Sequence, residues 1–233
     1  MSRSVRVLVA VVVVVGIVGV GGFLYLTRDI AAPSTDVQSG AGEIETAGES
    51  GTLFRISQDE SQVEFNIFEV LNGSDKTVVG TTNQVAGDVL IDLGNPAQSE
   101  IGAIAINART FQTDEDRRDN AIARFILQSE NSANEFITFH PTSVSGLPAS
   151  AAVGDTMTLE VTGDLTIAGK SNPVTFDVTA TLESADRLVG DAETVIQRSD
   201  FNLNIPNVPF VANVGEDVTL KLNFVADAVS EAT

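Results

Sequence analysis

On both sides of residues 168–173, apolar and polar residues alternate almost without a break. Leu159, Val161, Gly163, Leu165 and Ile167 share one parity, with Thr158, Glu160, Thr162, Asp164 and Thr166 between them. Val174, Phe176, Val178, Ala180 and Leu182 stand in the same way against Thr175, Asp177, Thr179, Thr181 and Glu183. Successive side chains of a strand point to opposite faces, so a period of two means strands with one apolar and one wetted face. Between them, Ala168-Gly169-Lys170-Ser171-Asn172-Pro173 is a turn signal that makes the pair a hairpin. Val218, Leu220, Leu222 and Phe224 continue the pattern, and weaker versions run through Val63-Phe65-Ile67, Val85 to Leu93, Ile104-Ile106-Ala108, Ile137-Phe139 and Leu188 to Ile196. About eight or nine strands with few helical windows predict an all-β fold, either a closed barrel or a sandwich. Several strands are long, which favours a tall antiparallel barrel.

One segment departs from that period. Across 113–126 the spacing of Thr113 and Asp116 is that of a capping box, acids fill the first turn, and Ile122, Phe125 and Ile126 fall on one helical face. The segment predicts one short helix across a barrel end. Its acids lack the alternate-position ligands and terminal glutamate of a calcium loop, so they read as helix caps and no metal is expected.

From Val5 to Leu26 the chain is apolar except for Arg6, long enough to cross a hydrocarbon core of roughly 30 Å as one helix. Arg3 precedes it and Arg6 stands at its start, whereas Arg28 is offset by Asp29, so the positive-inside bias puts the N-terminus in the cytoplasm and the rest outside. The run exceeds the usual signal-peptide core of about 7–15 residues, which favours a retained anchor over a cleaved leader. Residues 27–51, rich in Ser, Thr, Gly, Ala and acids, predict a flexible tether. The expected organisation is a transmembrane anchor over 1–26, a tether over 27–51 and a barrel over 52–233, in a single-pass protein of the cytoplasmic membrane with its barrel extracytoplasmic.

The chemistry is mostly one of exclusions. The 233-residue chain carries a net charge of -19, a poor surface for nucleic acid, which is bound by neutralising phosphates with Lys and Arg. It has no cysteine, so disulfides, thiolate metal sites, a cysteine nucleophile and a lipid-modified cysteine are all excluded. His140 is the single histidine, of opposite parity to Ile137 and Phe139 and therefore solvent-facing beside Pro141, where a bulge is expected. No G-x-S-x-G elbow, phosphate loop or nucleotide fingerprint accompanies it. No enzyme activity and no cofactor is expected.

Gly163-Asp164-Leu165-Thr166-Ile167-Ala168-Gly169, running on to Pro173-Val174-Thr175-Phe176, resembles the hairpin motif of the YceI-like polyisoprenoid-binding proteins. The resemblance extends through Ser61-x-Val63-x-Phe65, Thr113 with Arg118-Asp119, Phe136-Ile137-Thr138-Phe139 and Arg198-Ser199-Asp200-Phe201, in the family's order. It implies a lipocalin-like barrel whose apolar tunnel holds a long isoprenoid chain, in a carrier or storage role. Parity then supplies the candidate lining: Phe65, Ile67, Val89, Ile91, Ile104, Ile106, Phe139, Leu165, Phe176, Val178, Leu220 and Leu222. The same residues would also fill a solid core, which would make the barrel a structural or protein-interaction module of the cell envelope. Gly87, Ala108, Gly163, Ala180 and Ala192 on inward parity leave room among them. Arg198 keeps the parity of Ile196 and Thr194, so it points inward to a ligand headgroup, or else to an ion pair with Asp200 or the helix acids.

Overall fold

The structure, a computed structural model, describes residues 30–33, 36–44, 51–206 and 211–229. The apolar run Val5–Leu26 lies outside the described residues. No helix among those described is long and apolar enough to cross a membrane.

The strands form one antiparallel sheet. In chain order they are β1 (Thr52–Ile56), β2 (Gln62–Leu71), β3 (Ser74–Thr82), β4 (Val85–Ala86), β5 (Asp88–Ile91), β6 (Glu100–Ile101), β7 (Ile104–Asn107), β8 (Phe136–Ser145), β9 (Thr156–Ile167), β10 (Lys170–Ser184), β11 (Arg187–Gln197), β12 (Val211–Ala212) and β13 (Asp217–Ala228). The long strands pair in the order β8-β9-β10-β11-β13-β2-β3, a lipocalin-like half-barrel. Short strands carry the pairing round from one side to the other. β13 also pairs with β1, β1 with β5, and β4 with β7, which pairs with β8; β4 and β5 are separated only by Gly87.

One corner shows how a single strand serves two partners. Val218–Asn223 of β13 face β2, while Ala226–Ala228 face β1. The buried Ser61 sits where one partner hands over to the other, its Oγ accepting from Val225 N at 3.0 Å and donating to Val225 O at 3.2 Å. The hydroxyl thus takes the place of a strand neighbour at a position where the ladder is interrupted.

The alternation places side chains as the period of two requires: Leu159, Val161, Leu165 and Ile167 are buried and Glu160 and Asp164 exposed. The turn is shorter than its sequence signal. Lys170 already pairs with Ile167, so the loop is Ala168-Gly169 alone, both with positive φ (49° and 75°), the two-residue hairpin whose twist matches its strands. Pro173 therefore lies within β10, tolerated because β11 pairs with β10 only from Asp177 onward and leaves no ladder bond for Pro173 to break. A register shift between Pro141 and Ser143 marks the bulge expected beside His140, and His140 is exposed.

The short helix is present as α2 (Asp116–Ala121), extended by a wider π-type turn over Ile122–Ile126. The expected capping box between Thr113 and Asp116 does not form. Glu115 is the N-cap, and its side chain makes no capping hydrogen bond. Thr113 instead donates through N and Oγ1 to Asp119 Oδ1, at 2.8 and 2.6 Å, because Asp119 is buried one turn further on and its carboxylate requires donors.

Part of the expected tether is structured. A short helix, α1 (Gln38–Ala41), lies on the outer face of the sheet, where Val37, 2% exposed, packs with Ala86 and Ala105, flanked by Ala41 and Phe136. That is why Ala105 is buried although Ile104 and Ile106, its neighbours of opposite parity, face the interior. A buried polar network closes the same face. Arg109 pairs with Glu135 at 2.9 Å, donates to Ser129 O at 2.7 Å and to Ala32 O at 3.0 Å, and Asn107 Nδ2 donates to Glu135. Arg55 adds a two-bonded contact to Asp88, at 2.8 and 2.9 Å, and reaches Glu43 of the docked segment at 3.3 Å. Hydrogen bonding to Asp88 holds the Arg55 guanidinium more firmly protonated than usual.

Candidate functional site

The inner faces of the strands do not meet across the sheet, and the space between them is divided into two lobes. The smaller, about 200 Å³, is almost wholly apolar. Val89, Ile91, Ile104, Ile106, Phe139, Leu165, Phe176, Val178 and Leu222 line it, each on the inward parity of its strand. The Phe139 and Phe176 rings meet edge to face, centroids 5.0 Å apart, and fix one wall. The larger lobe, about 790 Å³, lies under α2 and its π-type turn and contains Ile67 and Arg198. Phe65 and Leu220 line both lobes, as do Phe111, Ile137 and Ile167, and these five side chains form the waist between the two. Phe65 and Phe111 stand at that waist with ring centroids 5.4 Å apart.

All thirteen residues read from parity thus border one or other lobe. Three features were missed in that reading. Phe111 follows β7 in a loop and has no strand parity. Leu127 joins Ile122, Phe125 and Ile126, the helical face read from the sequence, at the larger lobe, where the π-type turn lets Leu127 N donate to Ile122 O at 2.8 Å. Glu69 is on the inward parity of Val63, Phe65 and Ile67 and could have been found from it, but an acid in an apolar series is easily passed over.

Charge is concentrated at the helix end. Glu69, Lys76, Asp114, Glu115, Arg117 and Arg118 border the larger lobe, and most are tied to one another. Arg118 bonds to Asp114 and reaches Glu69 at 3.3 Å, and Lys76 meets Asp114 at 2.6 Å. Hydrogen bonds from Lys76 and then Arg118 hold the Asp114 carboxyl below the usual carboxylate range. Arg198 pairs with Glu216 at 2.7 Å, rather than with Asp200 or the helix acids, and donates to the carbonyls of Gly215 and Leu203. Its partner comes from the loop before β13, which folding alone brings beside it. Hydrogen bonding from Ser199, reinforced by the charge of Arg198, lowers Glu216 in the same sense.

No group of three or more His, Asp or Glu residues is placed to hold a metal ion among the described residues. The arrangement offers burial for an apolar body and a polar mouth beside it.

The YceI-like domain model matches residues 54–226, the whole span of strands that forms the two lobes. The chain belongs to the YceI-like family. Solved structures carry the same fold. BcnA from Burkholderia cenocepacia superposes with a TM-score of 0.56 at 22% identity, over 73% of this chain and 98% of that one. A polyisoprenoid binding domain from Saccharophagus degradans gives 0.61 at 14% identity, over 77% and 100%. The YceI protein of Campylobacter jejuni gives 0.52 at 17%, over 65% and 85%. No curated protein matches the chain. Within this YceI-like chain, two of the motif segments identified in the sequence sit at the site: Leu165, Ile167 and Phe176 of the hairpin line the smaller lobe, and Arg117 and Arg118 at the start of α2 border the larger one.

Proposed function

We propose that this YceI-like protein binds a long-chain isoprenoid or similar lipid in its two-lobed cavity, without catalysis, and stores it or passes it over short distances beside the membrane. The observation that carries this reading is the largely apolar space inside the strands, whose larger lobe of about 790 Å³ falls within the range of roughly 300–1,000 Å³ typical of small-molecule sites. Each methylene transferred from water into such a lining contributes about 0.8 kcal/mol, so a long hydrocarbon chain outweighs the cost of its immobilisation. The description of the Saccharophagus degradans domain as polyisoprenoid-binding supports an isoprenoid as the occupant. Phe65, Ile67, Val89, Ile91, Ile104, Ile106, Phe139, Leu165, Phe176, Val178, Leu220 and Leu222 are the proposed chain contacts, and Arg198 borders the polar end.

The proposed setting is the outer side of the cytoplasmic membrane, with the barrel held there by Val5–Leu26 as a spanning helix. The apolar run and the two arginines at its start, Arg3 and Arg6, support that placement. The full chain, purified and extracted with organic solvent, is expected to release an isoprenoid detectable by mass spectrometry and to take up a fluorescent prenyl probe. Neither release nor uptake would leave the barrel as a structural or protein-interaction module.

A further inference from the structure

Glu69 is the single acid on the inward parity of β2, after Val63, Phe65 and Ile67. It is 7% exposed and borders the larger lobe. A carboxylate in an apolar wall is costly unless it is bonded, and its contact is one long hydrogen bond, Arg118 Nη2 donating to Oε1 at 3.3 Å. Arg118 is in turn bonded by Asp114 through Nη1, and Asp114 is also the partner of Lys76. Arg198 is occupied by Glu216 and two carbonyls. Only Arg117, which is exposed, borders this lobe as a cation without a carboxylate partner among the described residues. The mouth is therefore strongly polar, yet its partly buried cations are already paired with carboxylates, on a chain of net charge -19.

That arrangement suits one kind of headgroup. A phosphate entering beside Arg118 would also stand beside Glu69, and like charges brought together in this way cost several kcal/mol. A hydroxyl does the opposite, donating its proton to the Glu69 carboxylate while its oxygen accepts from the Arg118 guanidinium. We propose that Glu69 and Arg118 form a polar subsite for an uncharged hydroxyl end group, so that the larger lobe selects a neutral prenyl alcohol over its phosphorylated counterpart. The proposal rests on the lipid-binding reading above and narrows its ligand class.

The test is competition against a bound fluorescent prenyl probe on the full chain, with geranylgeraniol and geranylgeranyl monophosphate, which differ only at the headgroup. The alcohol is expected to displace the probe at a concentration about tenfold or more below that of the phosphate, given the cost of juxtaposed like charges. Because an alcohol partitions better into any apolar cavity, Glu69→Gln supplies the specific readout: with that carboxylate charge removed, the phosphate gains and the gap narrows. Equal or tighter binding of the phosphate by the native protein overturns the proposal, as does an unchanged gap in a Glu69→Gln protein with native melting. If Glu69→Gln fails to fold, Glu69→Met removes the same charge with an apolar side chain of similar length, and the gap is expected to narrow in the same way; an unchanged gap there overturns the proposal. A probe that never binds overturns the lipid reading itself, an outcome distinct from a wrong headgroup preference.

Discussion

Gly80 lies directly opposite Phe65 in the β2–β3 ladder, and a Cβ built on it would fall 2.1 Å from Phe65 Cε1. The ring occupies the space over the neighbouring strand that a side chain there would fill, and from that position it leans against Phe111 at the waist between the lobes. Gly80→Ala must push the ring aside, which by the usual cost of overpacking lowers stability by about 1–3 kcal/mol. Denaturant unfolding checks the loss, and prenyl-probe uptake is expected to fall as the displaced ring intrudes on the waist. Phe65 was legible as inward from parity. The need for a glycine opposite it was not, because cross-strand register is a property of the pairing.

At the scale of elements, the docked segment around α1 changes what the domain is. A polar, Gly- and Ala-rich stretch with no apolar period reads as linker, yet Val37 finds an apolar depression between Ala86 and Ala105, two residues small enough to leave one. The Arg109–Glu135 pair beneath it is buried, with side chains 5% and 1% exposed, and Arg109 also holds Ala32 O. Removing one partner of a buried pair leaves an uncompensated charge, so Arg109→Met is expected to cost about 3–5 kcal/mol. Urea unfolding measures that cost, and limited proteolysis is expected to cut residues 36–44 more readily once the Ala32 contact is lost. A cost below 1 kcal/mol would mean that the network is not closed in solution.

The whole molecule is acidic, and its pH response depends on which carboxylates are paired. Glu60, held by a hydrogen bond from Arg187, Asp114, held by Lys76 and Arg118, and Glu216, held by Ser199 and Arg198, all titrate below their ordinary values. A group whose folded value is depressed contributes stability that is complete above its unfolded pKa, about 4 for a carboxyl, and is lost as the pH falls through the folded value. The melting temperature is therefore expected to fall on acidification below about pH 4. All three groups are solvent-exposed, so the effect of each pair is small and weakens with salt. Lys76→Met should return the Asp114 titration, followed by NMR, toward the ordinary range, and an unmoved Asp114 would count against the pairing at the mouth.

What the amino-acid sequence determined by itself was local and periodic. Alternation over two residues assigns a side chain to one face of its strand wherever the fold wraps, so the strands, the inward residues and the exposed His140 follow without coordinates. The helix over 116–126 was likewise visible in its acids and in the spacing of Ile122, Phe125 and Ile126. Whether inward residues fill a core or leave a cavity depends on how far apart opposite walls stand, and strand tilt and the small residues of several strands set that distance together. The open lobes, the pairing of Arg198 with Glu216, the burial of Val37 and the placement of Glu69 beside Arg118 all join segments distant in sequence. Only the tertiary structure could decide them, because each depends on which strands become neighbours and on what then remains to be neutralised or covered.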